Sequence, residues 1–239
     1  MKAKRNPGPR ECGGTLIDLL VIVAVVVGAA MIILPMLARP KGHSTQIRCI
    51  NNMKQVAMGL RLFANDNDSR YPDAVTNIAS NLELWKLFQQ AEDDISSPRI
   101  LVCPSDTDRF PAYDFLTETN SPTSSNSFAH PSKRNMALSY FYAAGATEDS
   151  PNRMLIGDRN LTRDPKRSDK SPGTNLLTGT QRLGWTSNEV KDLRWTTGVH
   201  ERGANIAFMD GSAQQLTSHK LREALGKTGD TNNLVWLPQ

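Results

Sequence analysis

Few of the groups from which catalytic centres are built occur in this chain, which has three cysteines and four histidines in 239 residues. No H-E-x-x-H pair, no G-x-S-x-G elbow, no P-loop and no dinucleotide fingerprint appears anywhere along it. The sequence therefore supports no enzyme assignment and implies no cofactor. Net positive charge is also scarce once it is located. Twenty-eight Lys and Arg against 24 Asp and Glu give +4, but Lys2, Lys4, Arg5 and Arg10 against Glu11 all fall within residues 1–13, leaving 24 against 23 elsewhere. A nucleic-acid footprint needs clustered cations on the folded part, so no nucleic-acid partner is expected.

Charge is nearly absent from one long stretch. Thr15 to Leu37 reads TLIDLLVIVAVVVGAAMIILPML with Asp18 as its one charged residue. As a helix it extends about 34 Å, enough to cross a bilayer core. A buried core helix is rarely apolar all round for so long behind a polycationic stretch. A lipoprotein signal places its cysteine after the apolar run, whereas Cys12 precedes it. Cleavage at a secretory site near Gly28-Ala29-Ala30 leaves Met-Ile-Ile-Leu-Pro-Met-Leu as a poor start for a soluble protein. An uncleaved signal anchor is the remaining alternative. Arg39, Lys41 and Arg48 flank the far side, so charge alone does not orient the segment.

Past Pro35, which is expected to kink the helix, Cys49, Met53, Val56, Leu60 and Phe63 recur at spacings of three and four. This predicts an amphipathic continuation of one long helix, ending at Asn65-Asp66-Asn67-Asp68. A short helix is predicted at Leu82 to Ala91. Strands are predicted at Ile100 to Cys103, Leu138 to Ala143 and Arg153 to Ile156. A hairpin is predicted from Ala204 to Thr217 around a two-residue type I′ turn at Asp210-Gly211. Thr117 to Arg134 and Arg159 to Thr180 read as long polar surface loops.

Gly13-Gly14-Thr15-Leu16-Ile17-Asp18-Leu19-Leu20, between basic residues and the apolar run, resembles the processing site of type IV prepilins and type II secretion pseudopilins. The resemblance implies cleavage by a prepilin peptidase between Gly13 and Gly14 and methylation of the new terminal amine. It also implies that Asp18 is the acidic residue that meets the amine of a neighbouring subunit. The family usually has phenylalanine at the position of Gly14 and glutamate at that of Asp18. A second likeness is independent. His200, nine residues and then Asp210-Gly211 in HERGANIAFMDG resemble the signature of the prepilin-associated H-X9-DG proteins, as do CINNMKQ at Cys49 and CPSD at Cys103.

Together these imply an α+β, pilin-like fold in which a long N-terminal helix packs on a small antiparallel sheet with long polar loops. The expected layout is a basic leader at 1–13, a transmembrane half-helix at 14–38 and an exported globular domain at 39–239. The implied role is a structural subunit of a type IV pilus or type II secretion pseudopilus. Its partners would be the prepilin peptidase, other pilin-like subunits and membrane lipid. The implied location is a single pass through the inner membrane with the domain outside the cytoplasm. The alternative is a tethered extracytoplasmic binding module that does not polymerise.

His200 and Asp210 offer an imidazole and a carboxylate, but a pair without further donors at a recognisable spacing predicts no metal site. The Asp66, Asp68 and Asp73 region lacks EF-hand spacing. Cys49 lies on the apolar stripe and Cys103 follows an apolar run, so both face the core. Export would favour a disulfide between them. Two buried free thiols packing as small hydrophobes is the alternative.

Overall fold

The computed structural model describes residues 16–37, 41–75, 84–116, 125–145, 147, 149–163, 176–184, 186–200 and 203–238. They divide into two units, Met1–Lys41 and Gly42–Gln239. The first holds α1 (Leu16–Leu37), whose large apolar side chains from Leu16 to Ile33 are exposed. Its Leu16–Ile33 stretch is long and apolar enough to span a membrane. Where the sequence predicts one continuous helix, two are described. The next, α2 (Lys41–Asp66), begins after residues 38–40, which lie outside the described residues.

The second unit is α+β. After α2 come α3 (Pro72–Val75), α4 (Leu84–Gln90), β1 (Tyr140–Ala143), β2 (Met154–Asp158), β3 (Leu161–Thr162), β4 (Gly179–Arg182) and α5 (Ser187–Val190). Then follow β5 (Arg194–Trp195), β6 (Ala204–Phe208), β7 (Ala213–Leu216), α6 (Ser218–Lys227) and β8 (Leu234–Leu237). Six strands form one antiparallel sheet in the order β4-β8-β1-β2-β6-β7, and β3 pairs with β5 in a two-stranded one.

Strand alternation sends side chains to two opposite cores. Tyr140, Tyr142, Ile156, Ala207 and Trp236 pack with Cys49, Met53, Val56 and Leu60 of α2 and with Leu84, Leu87 and Phe88 of α4. On the other face Phe141, Met154, Ile206, Phe208, Val235 and Leu237 pack with Leu221 and Leu225 of α6 and with Leu193 and Trp195. Helix, sheet and helix thus form three layers, which is why every residue of β1, β2 and β6 is buried.

Three local expectations are corrected. Arg159 to Thr180 is not a surface loop at its ends: Arg159 to Thr162 are buried and include β3, and β4 begins at Gly179. Residues Ile100 to Cys103 are not a strand: Pro98–Leu101 is a 3-10 turn whose cap, Ser97, accepts a hydrogen bond from Arg99 N. Proline at the first position of a turn with a serine cap favours helical winding over extension. The β6–β7 connection is a three-residue loop, not a two-residue type I′ turn. Gly211 N donates to Phe208 O and Phe208 N to Ser212 O, which makes Met209-Asp210-Gly211 a type I turn followed by a left-handed Gly211 at φ 84°.

Candidate functional site

The greatest concentration of buried polar side chains lies where β2 ends and β6 begins. Tyr140 and Asp158 are register partners across β1 and β2, and Asn205 N donates to Asp158 Oδ2 at 2.6 Å from the neighbouring strand. Hydrogen-bonding register alone therefore brings Tyr140, Asp158 and Asn205 together. His200 reaches the same point from the segment before β6, its Nε2 3.3 Å from Asp158 Oδ2 and 2.9 Å from Asn205 Nδ2. Gly203 permits this approach. Its φ is 123°, and a Cβ there would stand 2.4 Å from Leu216 O, so β7 closes against the backbone at Gly203 only because no side chain intervenes.

The histidine also meets sulfur. A disulfide joins Cys49 of α2 to Cys103, with Cα atoms 4.9 Å apart. Cys103 Sγ lies 3.5 Å from His200 Nε2, and Cys49 Sγ lies 3.8 Å from Ser105 Oγ. Cys49, Cys103 and His200 each offer a ligand atom within 4.8 Å of the others. Nearby, several buried atoms lack a hydrogen-bond partner among the described residues: Asp158 Oδ1, Asn205 Oδ1, Asn160 Oδ1, Ser139 Oγ and the Tyr140 hydroxyl. Burial, and after it the charges of Asp158 and Asp106, hold the Tyr140 phenol well above its usual range, so it stays neutral.

A salt bridge flanks this cluster. Arg159 Nε and Nη2 donate in parallel to the two oxygens of Asp106, each at 2.8 Å, and Nη2 reaches Asp108 at 3.3 Å. Burial opposes the Arg159 charge, but hydrogen bonding and attraction from the two aspartates more than offset it, and its pKa is raised. Arg109 goes the other way: burial and then repulsion from Arg159 lower it to about 10, against the pull of Asp106 and Asp108. It remains a cation at neutral pH.

A cysteine, histidine and aspartate together invite comparison with a nucleophile relay, which uses the two ring nitrogens for different partners. Here sulfur and carboxylate crowd the same Nε2, and the sulfur is bonded to another cysteine. The arrangement is therefore unsuited to moving a proton from thiol to carboxylate.

The other half of the H-X9-DG signature lies elsewhere. Asp210 sits beyond the far end of β6 from His200, exposed, with Oδ1 accepting from Ser212 N at 2.8 Å and its carbonyl accepting from Arg61. His200 and Asp210 thus belong to opposite ends of one strand. Asp18 lies exposed in the first turn of α1, while Gly13 and Gly14 lie outside the described residues. Asp73, weighed above as an acidic ligand, accepts from the Tyr142 hydroxyl and from Gly145 N, both at 2.6 Å, and Asp68 pairs with Arg70. Sequence reading missed Asp158, Asn205 and the Asp106–Arg159 pair. The partners of Asp158 and Asp106 lie far off in the chain, and the local signal is a charged Asp-Arg pair that follows the apolar Met154 to Ile156 after one glycine.

In comparisons with protein-family models, with curated proteins and with solved structures, nothing matches the chain.

Proposed function

We propose that the chain is a pilin-like structural subunit, anchored by α1 in a membrane and assembling side by side with other pilin-like subunits in a filament or pseudopilus. The observation that carries the reading is that α2 keeps large apolar residues exposed on the side opposite its buried face. Its inner face, with Cys49, Met53, Val56 and Leu60, is fully buried in the domain. Its outer face keeps Ile47, Met58 and Leu62 at 59%, 65% and 46% exposure. At 100° per residue these three fall within about 60° of one another, with Asn51 among them and Lys54 beside them, and Met58 and Leu62 form an exposed i, i+4 pair for another helix. The apolar surface of α1 supplies the membrane-embedded counterpart, and Asp18 is costly there unless a partner such as a neighbour's terminal amine meets it. The processing-site and H-X9-DG resemblances supply the remaining support, with cleavage by a prepilin peptidase after Gly13 and the domain held outside the cytoplasm.

The test is assembly of the full chain in its native host, read by shearing, pelleting and electron microscopy. Met58→Glu with Leu62→Glu is expected to abolish filaments while changing domain stability by less than about 0.5 kcal/mol, the usual range for surface substitutions. Filaments that survive this change would sink the lateral-packing role of α2. A tethered module that does not polymerise is the second reading. It is favoured by a groove of about 260 Å³ between the β6–β7 hairpin and α6, lined by Asp210, Gln214, Lys220, Glu223 and Lys227. Membrane association without any pelletable filament would support that reading.

A further inference from the structure

The Cys49–Cys103–His200–Asp158 cluster has the composition of a metal site with two of its donors tied together. Borderline-soft divalent ions such as Zn²⁺ take thiolate, imidazole and carboxylate in tetrahedral sets. Bond lengths of about 2.0 to 2.3 Å put adjacent donors of such a set roughly 3.3 to 3.8 Å apart. Around His200 Nε2, Cys103 Sγ at 3.5 Å and Asp158 Oδ2 at 3.3 Å already stand at that separation. Cys49 Sγ lies within 4.8 Å of both Cys103 Sγ and His200 Nε2.

A second observation points to a cation independently of the sulfurs. Asp158 is a fully buried carboxylate whose Oδ1 has no partner among the described residues, beside an equally unpartnered Asn205 Oδ1. A buried carboxylate costs several kcal/mol unless charge and hydrogen bonds compensate it. Nε2 has a single in-plane position for a proton or a metal ion, yet oxygen, amide nitrogen and sulfur all converge on it. A metal ion at that position would be met by the sulfur and the carboxylate at once, whereas a proton on Nε2 would have to be divided between them in a weaker three-centre bond.

We propose that reduction of the Cys49–Cys103 bond opens a four-donor site for a Zn²⁺-class ion, formed by both sulfurs, His200 Nε2 and Asp158, so that disulfide and metal are alternative occupants of one place. The step balances. A dithiol reductant gives two electrons and two protons to the disulfide and leaves as its own cyclic disulfide. Metal binding then releases the two thiol protons to solvent, while His200 binds through Nε2 and carries its hydrogen on Nδ1. A disulfide sulfur is a poor ligand, so the oxidised chain is closed to the ion. The proposal does not depend on filament assembly.

The experiment uses the full chain in detergent, either oxidised or reduced with dithiothreitol and desalted without oxygen, and titrates both with Co²⁺ as a spectroscopic stand-in for Zn²⁺. The reduced chain is expected to take up one equivalent with a sulfur-to-cobalt charge-transfer band and the intense visible bands of tetrahedral coordination. The oxidised chain is expected to show neither. His200→Ala and Asp158→Asn, each reduced, are expected to weaken cobalt binding at least about tenfold. No charge-transfer band in the reduced chain overturns the proposal. So does a band of equal affinity in both variants, since the ion then sits on two thiols alone. If a variant does not fold when oxidised, the unaltered chain decides. Zn²⁺ should raise the melting temperature of the reduced form and leave the oxidised form unchanged, and equal effects on both, or no effect on either, overturn the site.

Discussion

Arg61 Nη1, on α2, donates a hydrogen bond of 3.3 Å to the carbonyl oxygen of Asp210 in the β6–β7 loop. At the other end of the same strand, His200 leans on Cys103, which is bonded to Cys49 of the same helix. Twelve helical residues from Cys49 to Arg61 rise about 18 Å. Strand β6, Ala204–Phe208, covers about 13 Å before the chain turns at Met209 and Asp210. Strand β6 is thus tied to α2 at both ends, through Arg61 at one and through His200 and the disulfide at the other.

The two glycines beside these fastenings are expected to tolerate substitution unequally. Both have positive φ, but a Cβ at Gly203 meets the backbone oxygen of Leu216 at 2.4 Å, whereas one at Gly211 meets the movable end of Arg61 at 2.6 Å. Gly211→Ala is expected to cost about 1 kcal/mol and Gly203→Ala clearly more, as urea midpoints would show. The reverse order would mean that β7 does not close on the backbone at Gly203.

The Cys49–Cys103 bond closes a loop with a sequence separation of 54. In the chain-entropy model such a loop contributes about 4 kcal/mol. The double change Cys49→Ala, Cys103→Ala should lower stability by that order, and thiol labelling of the denatured, unreduced protein should find neither cysteine free. Labelling of both before reduction would contradict the bond.

These features were unequally legible in the sequence. The stripe of Cys49, Met53, Val56 and Leu60 gave away α2 and its buried face, because four-residue spacing in a helix is a strong periodic signal. The β6–β7 hairpin was readable from Ala204, Ile206 and Phe208, though its loop type was not, since Asp-Gly serves two-residue and three-residue loops alike. Strand β4 was hidden because Gly-Thr-Gln-Arg at a sheet edge shows no apolar alternation. Helix α6 passed unread although Thr217 caps it and Leu221 and Leu225 repeat at four. The site was the least legible part. Asp158 and Asp106 look like surface charges until the fold pairs them with residues dozens of positions away.

Breaking the Asp106–Arg159 pair should be costly, because its side chains are 1% and 8% exposed and the buried guanidinium would keep only its longer contact to the exposed Asp108. Asp106→Ala is expected to lose about 3 to 5 kcal/mol, and Arg159→Lys to be poorly tolerated, since an ammonium cannot match both carboxylate oxygens. Chemical denaturation of each variant measures this, and a loss below about 1 kcal/mol would show the pair to be dispensable.

Alkaline pH should expose the buried phenols. Tyr140 and Tyr142 are both held well above 10.0, first by burial and then by Asp158 and Asp106 for the one and Asp73 for the other. A folded pKa above the unfolded one contributes stability below the unfolded value, and that stability is lost as pH rises through the window above it. The urea midpoint should therefore fall only beyond about pH 10. Tyrosinate absorbance from these two residues should rise together with loss of the near-ultraviolet dichroism. Tyr142→Phe, which also removes the 2.6 Å bond to Asp73, should shrink the alkaline fall. Ionisation of both phenols in a fully folded chain would contradict their burial.

Leader removal is testable at Gly13, where the peptidase of the proposed reading needs a small side chain before the cut. Gly13→Leu is expected to leave the full-length mass in the membrane fraction. Unchanged processing in that variant would favour another route to the membrane.

The most direct test of the pilin-like reading is intact mass and N-terminal sequencing of the chain recovered from the membranes of its native host. The account predicts a mature protein that begins at Gly14. A protein that keeps residues 1–13, or one cut near Ala30 and found in the soluble fraction, would contradict it.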